Sequence, residues 1–239
     1  MKQMIIKTLV FLCSLFFVLC SLSCTARIDG SISASGSAVL NVNFSLQRNM
    51  TALIARLSAA GGQEGMVLDG ASISRSMSAA PGVASARLRN TLTNAIEGQV
   101  HISRISDFLS AAGKGFITFE QRLPETGGRC RVNIDRTTSP AIIELFSSDV
   151  TDYLNALMAP IATGEEITKE EYLELVSSFY NNLISGEIAS TRINVVIEFP
   201  GTVRNVSGGT FSGRMVTFNI PLLDLFVLEN PLIYEVIWN

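Results

Sequence analysis

Apolar and polar residues alternate with a period of two over residues 28–46. The even positions carry apolar residues or glycine, and all but one of the odd positions carry serine, asparagine or aspartate. Such alternation predicts β-structure with one buried and one solvated face. Because nineteen residues is long for one strand, the segment is either one bent strand or two strands folded about residues 34–37, where Gly36 permits a bend.

Further strands are predicted in the middle and in the C-terminal part of the chain. Each is a short run of β-branched, aromatic or alternating residues bounded by Gly or Pro. These strands are residues 116–120, 129–135, 193–199, 202–207, 211–220 and 232–238.

Apolar residues spaced three or four apart predict the helices. Three helices precede the middle strands, and they carry Met50, Leu53, Ile54 and Leu57, then Val83, Leu88, Leu92 and Ile96 after Pro81, then Ile105, Phe108 and Leu109. Residues 61–80, rich in Gly, Ser and Ala, are predicted to be a loop between the first two helices. A short strand over residues 99–102 is predicted to lead into the third helix.

The segment after the middle strands is predicted to be helical. Ser139-Pro140 and Asp149 are typical helix starts. Thr168 and Glu171 have the spacing of a capping box, and the helix that they open is predicted to end at Gly186.

Strands towards both ends with helices between them predict an α+β fold. We expect a mostly antiparallel, curved β-sheet formed by the N- and C-terminal strands, with helices packed on one face. The predicted organisation is a signal peptide over residues 1–23 and a single α+β domain over residues 24–239, with a helical insertion at about residues 138–186.

The first two dozen residues have the composition of an export signal. Lys2 and Lys7 precede an apolar run over residues 8–20, which is shorter than the roughly 20 residues that cross a bilayer, and small residues lead to Cys24. The arrangement resembles a bacterial lipoprotein signal in the looser form of spirochaete lipoproteins, because Leu22 stands two positions before the cysteine rather than three. The resemblance implies that Cys24 becomes a palmitate-bearing N-terminus that anchors the exported protein to the cell membrane or outer membrane. An ordinary secretion signal and an uncleaved anchor are the alternatives.

Residues that could form a catalytic or metal centre are sparse. His101 is the only histidine, no Gly-x-Ser-x-Gly elbow accompanies it, and no His, Cys or carboxylate set has metal-ligand spacing. The acidic residues between Glu165 and Glu174 lack the spacing of a calcium loop and fit a solvated helix start. A net charge of −3 indicates no basic surface for nucleic acid. The sequence therefore predicts a non-catalytic protein without a cofactor.

Cys130 is the one cysteine outside the N-terminal signal and its lipidation position. The flanking Arg129 and Arg131 could lower the pKa of its thiol and make it reactive. The simpler interpretation, which we favour, is a partly buried strand cysteine.

Two short stretches resemble a known family. Residues 197–203 contain a Pro-Gly turn and are followed by Gly208-Gly209 and by residues 215–218, and Asp-Gly-Ser stands at residues 29–31, soon after Cys24. This pattern resembles the two ends of the LppM-like lipoprotein domain. The resemblance implies a fold that encloses an apolar or lipid ligand, with an envelope glycolipid as one example, and it implies no catalytic residues.

A curved sheet covered by helices can enclose an apolar cavity between its layers. The aromatic residues predicted to line such a cavity are Phe116, Phe119, Phe146, Tyr153, Phe179, Phe199, Phe218 and Trp238. The alternative is that these residues simply fill the core.

Two functions follow from these observations. The first is a membrane-anchored lipoprotein that binds an apolar or lipid-like ligand. The second is a structural or interaction lipoprotein, such as an adhesin or the scaffold of an envelope complex. A hydrolase built around His101 is a third hypothesis, with little in the sequence to support it.

Overall fold

Two β-sheets and a group of helices make up the described part of the chain. The structure is a computed structural model that describes residues 24–60, 68–112, 115–121, 127–139, 157 and 164–239. The strands are β1 (Cys24–Ile32), β2 (Ala38–Ser45), β3 (Val83–Leu92), β4 (Ala95–Ile102), β5 (Ile117–Gln121), β6 (Gly128–Ile134), β7 (Arg192–Glu198), β8 (Val203–Ser207), β9 (Thr210–Ser212), β10 (Met215–Pro221) and β11 (Leu232–Trp238). The helices are α1 (Arg48–Ala60), α2 (Gly70–Ser78), α3 (Ile105–Ala112), α4 (Lys169–Phe179), α5 (Asn182–Ser190) and α6 (Leu222–Val227).

The alternating N-terminal segment folds as a hairpin. β1 pairs antiparallel with β2 from Ala26↔Phe44 to Ile32↔Ala38. The Ser33 N–H donates to the Ser37 carbonyl at 2.8 Å across the turn, and Gly36 there has a φ of +80° that favours glycine. Of the two sequence-based alternatives, two strands folded about residues 34–37 is therefore the right one.

β1 also pairs in parallel with β7, and this pairing joins the two ends of the chain. The register runs from Cys24↔Arg192 to Ser31↔Glu198. The larger sheet has seven strands in the order β3-β4-β2-β1-β7-β10-β9, and the smaller sheet has the order β5-β6-β11-β8. The other strand pairs in both sheets are antiparallel.

The buried apolar residues form two clusters. The first cluster lies between the sheets. In it, Phe199 and Val216 from the side of the larger sheet pack with Val236 and Trp238 of the smaller sheet. Helices α2 and α3 contribute Ile73, Met77 and Ile105 to it. The second cluster unites α1, α4, α5 and α6, which we call the helical layer, with the ends of β5, β6 and β11.

The helical layer covers the end of the sheets at which Cys24 lies. The Glu187 carboxylate of α5 accepts hydrogen bonds from the backbone N–H groups of Asn49 (3.0 Å) and Met50 (2.8 Å), which are unsatisfied donors at the start of α1. Thr191 accepts from the Leu222 N–H at the start of α6. Since Thr191 immediately precedes β7, whose first residue pairs with Cys24, these contacts fix the layer at this end.

The α+β fold class predicted from the sequence is confirmed. Among the described helices, none has both the length and the apolar content needed to cross a membrane. The helices predicted to begin at Ser139-Pro140 and at Asp149 fall mostly outside the described residues. The single domain with a helical insertion over residues 138–186 stays a prediction.

The helix predicted after Pro81 is wrong, because this segment forms the hairpin of β3 and β4. Leu88 and Leu92 are four apart, which fits a period of two within β3 as well as a period of 3.6, and Ile96 continues the spacing only across the turn into β4. The intervening charged residues decide between them, since Ala86 and Leu88 are buried whereas Arg87 and Arg89 are exposed.

Three other boundaries also need correction. Residues 61–80 were expected to be a loop but include α2, which Asp69 caps by accepting from the N–H groups of Ala71 and Ser72. The helix expected to run to Gly186 is divided into α4 and α5, because Asn181 caps a new helix. The strand expected over residues 211–220 is a hairpin of β9 and β10, and α6 follows it.

We predict that Thr168→Ala lowers the free energy of unfolding by about 1 kcal/mol, whereas Thr168→Ser leaves it nearly unchanged. The capping box is present: the Thr168 hydroxyl accepts from the Glu171 N–H at 3.2 Å, and the Glu171 carboxylate accepts from the Thr168 N–H at 2.8 Å. Urea unfolding followed by circular dichroism measures the difference. An equal loss in both variants would contradict the role of the hydroxyl.

The cost of Thr168→Ala should fall on acidification. The hydrogen bonds from Thr168 lower the pKa of Glu171 below its ordinary value. A carboxyl with a depressed folded-state pKa contributes stability above its unfolded-state pKa, and this stability is lost as the pH falls through the folded-state value. The difference between Thr168→Ala and the parent chain should therefore be larger at pH 7 than below about pH 4.

Candidate functional site

A cleft of about 970 Å³ opens where the two sheets meet, at the end away from Cys24. Its walls are the β1–β2 turn, the start of α3, the paired strands β5 and β6, and the end of β11. Because β1 runs from Cys24 towards this turn, about 25 Å of extended strand separates the cysteine from the cleft. The volume is in the range of small-molecule sites.

Aromatic rings form the apolar floor of the cleft. Phe119 and Trp238 line it with ring centroids 5.8 Å apart, and Phe199 packs on Trp238 at 4.8 Å. Tilted ring pairs at these distances are favourable beyond the area that they bury. Since Phe199 and Trp238 are 3% and 2% exposed, the floor belongs to the core between the sheets and exists before any ligand binds.

Trp238 is closely packed and retains one unsatisfied donor. A Cβ on Gly128 would lie 2.4 Å from Cζ2 of Trp238, so glycine is required where β6 passes the indole ring. The buried Nε1 of Trp238 has no hydrogen-bond acceptor among the described residues. A buried donor without an acceptor costs about 1–3 kcal/mol.

The rim of the cleft is polar, and its two arginines are engaged in ion pairs. Arg104 Nε lies 2.8 Å from Asp107 Oδ2, and Arg129 pairs with Glu235 on the neighbouring strand. Gln121 Nε2 donates to the Ala34 carbonyl at 2.9 Å and ties β5 to the β1–β2 turn. The other polar groups on the rim are those of Ser35, Ser106, Glu120 and Asn239. An apolar floor below a rim of hydroxyl, amide and charged groups suits an amphipathic ligand.

The aromatic residues named from the sequence are distributed over several environments. Phe119 and Trp238 line the cleft, with Phe199 behind them. Phe218 stacks edge-on with Tyr234 at 5.4 Å, and Phe116 belongs to the second cluster beside the helical layer. Phe179 is 76% exposed. Phe146 and Tyr153 lie outside the described residues.

The polar rim was missed at the level of sequence. Its residues come from the β1–β2 turn, from α3 and from the chain end, and no local motif joins them. The bend at residues 34–37 and the helix that carries Ile105 are each predicted from local patterns, yet their meeting depends on how the sheets pack.

A second concavity of about 750 Å³ lies on the solvated face of the larger sheet and holds mostly polar residues. Two ion pairs lie in it, Arg27 with Asp29 at 2.6 Å and Arg89 with Glu97 at 2.5 Å. His101 lies on the same face and its Nε2 is 2.6 Å from the Gln99 side-chain oxygen. In the part of the chain that the structure describes, no three His, Cys, Asp or Glu residues are placed to hold a metal ion.

Cys130 is a partly buried strand cysteine, as the simpler interpretation held. It faces the core between the sheets, where it pairs with Val236 on one side and Phe119 on the other. Burial raises the pKa of its thiol to about 11. Arg129 and Arg131 alternate to the opposite, exposed face, so the hypothesis of a thiol activated by arginines is wrong.

Comparison with known proteins gives little beyond one distant structural neighbour. No family model matches the sequence, and no curated protein matches it. A solved structure that it resembles is the NMR structure of the folded domain of LppM from Mycobacterium tuberculosis, with 10% sequence identity over 90% of this chain and 88% of that chain, and a TM-score of 0.40. The neighbour bears the name of the domain that the terminal motifs resemble. At this similarity, no site and no activity is transferred from it. The comparison does not test the likeness of the signal to spirochaete lipoproteins.

We predict that Cys130 reacts slowly with thiol reagents in the folded protein. With the other three cysteines replaced by serine, Cys130 is the only thiol, and its raised pKa lowers the thiolate fraction about 100-fold at pH 8. Reaction with Ellman's reagent should be slow in buffer and fast in guanidinium chloride. As a control, Thr118→Cys with Cys130→Ser places a thiol at an exposed position of the neighbouring strand, and it should react fast in both conditions. Rapid reaction of folded Cys130 would contradict its burial.

Proposed function

We propose that this chain is a non-catalytic bacterial envelope lipoprotein, anchored by acyl chains on Cys24, whose domain holds a lipid-like ligand in the cleft between the sheets. The observation that carries the ligand proposal is the cleft itself, with its preformed aromatic floor of Phe119 and Trp238 and its polar rim, on which both arginines are held in ion pairs. A molecule with an apolar chain and a hydroxyl-rich head, such as a glycolipid, matches both surfaces.

The position of Cys24 supports the anchor. β1 begins at this residue, and the backbone of Cys24 is already paired with Arg192 of β7. A lipid on Cys24 would therefore hold the folded domain directly at the bilayer, without a flexible linker. The cleft would then open about 25 Å from the membrane surface, towards the side from which a ligand could be received or delivered.

We predict that the chain binds 11-(dansylamino)undecanoic acid, a fluorescent fatty acid, and that Ser106→Phe weakens this binding about tenfold or more. Ser106 is exposed on the wall of the cleft, so a phenyl ring there occupies the ligand's space without entering the core. Energy transfer from Trp238, the only tryptophan, reports binding near the floor.

The matched control for this experiment is Ser110→Phe, which places the same ring on an exposed position one turn further along α3 and outside the cleft. It should bind as the parent chain does. If neither the probe nor any lipid extracted with the purified protein is bound, the ligand proposal fails. If both variants bind equally well, the ligand lies elsewhere than in this cleft.

We predict that Cys24→Ala abolishes metabolic labelling with palmitate and releases the protein from the membrane fraction. The thiol of this residue is the acceptor that the lipoprotein signal implies. Cys130→Ala is the control, since this cysteine lies in β6 and outside the signal, and it should keep both the label and the membrane location. Retained palmitate in Cys24→Ala would disprove lipidation at that residue.

A second candidate function is that of an interaction lipoprotein without a small ligand. It is favoured by exposed apolar side chains on the helical layer, at Leu175, Phe179 and Leu183. These residues lie far along the fold from the cleft, so the two functions are compatible.

A further inference from the structure

The most exposed large apolar side chains of the described residues lie at one end of the molecule. They are Phe179, Leu92 and Leu183, which are 76%, 65% and 63% exposed. Single exposed apolar residues are common on protein surfaces. Their shared location is what distinguishes these three, because each lies at the end of the sheets where β1 begins.

Phe179 and Leu183 belong to the helical layer. Phe179 ends α4, and Leu183 is in the first turn of α5, four residues later. Leu175 is one turn before Phe179 on the same side of α4, and it is 45% exposed. The chain path from Leu183 through α5 to Arg192, and across the strand pair to Cys24, limits their separation to about 25 Å.

Leu92 lies on the other side of the same end. It is the last residue of β3 and pairs with Ala95, which pairs in turn with Ser45 at the end of β2. Since β3 is the third strand from β1 in the sheet order, Leu92 is about 15 Å to the side of β1.

We infer that this end of the domain rests on the bilayer, with Phe179, Leu183 and Leu92 inserted among the lipids. The inference rests on the proposed anchor at Cys24. Acyl chains on Cys24 would bring the start of β1 to the membrane surface, and no linker residues separate it from the folded sheet. Apolar side chains in the interfacial region of the bilayer are stabilised because they leave water. Binding of the same side chains to a distant protein partner would require this end of the domain to face away from the membrane.

The opposite end of the larger sheet supplies a matched control. Phe211 and Met215 of the β9–β10 hairpin are 49% and 51% exposed. Met215 of this hairpin pairs with Glu198, which is six positions along β7 from Arg192. Because Arg192 is the partner of Cys24, the hairpin lies about 20 Å further along the sheet than Cys24. An anchored domain in the inferred orientation keeps Phe211 in water.

The test uses tryptophan as a probe of depth in the full, lipid-modified chain. Phe179→Trp, Leu183→Trp and Phe211→Trp are each reconstituted into vesicles of phosphatidylcholine and phosphatidylglycerol, made with or without brominated acyl chains. Trp238 is 2% exposed and lies at the cleft end, so the parent chain gives the background signal. We expect brominated lipid to quench the added emission of Phe179→Trp and Leu183→Trp and to leave that of Phe211→Trp unquenched.

The outcomes separate the inference from the proposed anchor. Flotation with the vesicles, together with quenching at positions 179 and 183 alone, supports both. If the chain floats with the vesicles but positions 179 and 183 are quenched no more than position 211, the bilayer contact is overturned and the anchor is left intact. The exposed residues would then be assigned to a protein partner. Failure of the chain to float overturns the anchor and the inference with it. Because Phe179→Trp and Leu183→Trp are tested separately, a local misfolding caused by one substitution would not decide the result.

Discussion

The parallel pairing of β1 with β7 is the contact on which the rest of the structure depends. It joins residues that are 167 or 168 positions apart in sequence, and parallel strands require a crossover connection between them. Everything from β2 to α5 belongs to that crossover. Closing such a long loop costs conformational entropy, which the ladder of hydrogen bonds and the cluster between the sheets must offset. The same pairing holds Cys24 in a strand, so the position of the proposed lipid is determined by the sheet.

The pairing also separates the two ends of the domain. At the Cys24 end, Thr191 and Glu187 connect the sheet to the helical layer, and Glu187 satisfies the first backbone donors of α1. At the far end, the β1–β2 turn meets α3 and the last residues of β11 around the cleft. One end is thus covered by helices with exposed apolar side chains, and the other end is open with an aromatic floor.

This separation gives a physical basis for combining an anchor with a ligand site. The strands between the two ends are paired along their length and carry the buried residues Val100, Val216 and Val236, so they form a rigid spacer. A rigid spacer of about 25 Å fixes both the height of the cleft above a membrane and its direction. A lipid-like ligand in the cleft would have to cross that distance to enter or leave the bilayer beneath the domain. The geometry therefore favours exchange of the ligand on the side of the domain that faces away from this bilayer.

Much of the local structure could be predicted from the sequence, because alternation and capping chemistry act over a few residues. The hairpin about Gly36, the capping box at Thr168, most strands of the C-terminal part and the α+β class follow in this way. Where the local pattern fitted two periods, as for Leu88 and Leu92, pairing with β4 made the choice. The composition of the cleft was beyond prediction, since Phe119, Ser106 and Trp238 are brought together by contacts between distant segments. The sequence by itself determined the fold class and most of the local elements, because these follow from patterns a few residues long. Only the tertiary structure decided that Cys24 and the cleft lie at opposite ends of the sheets, because that depends on the long-range pairing of β1 with β7.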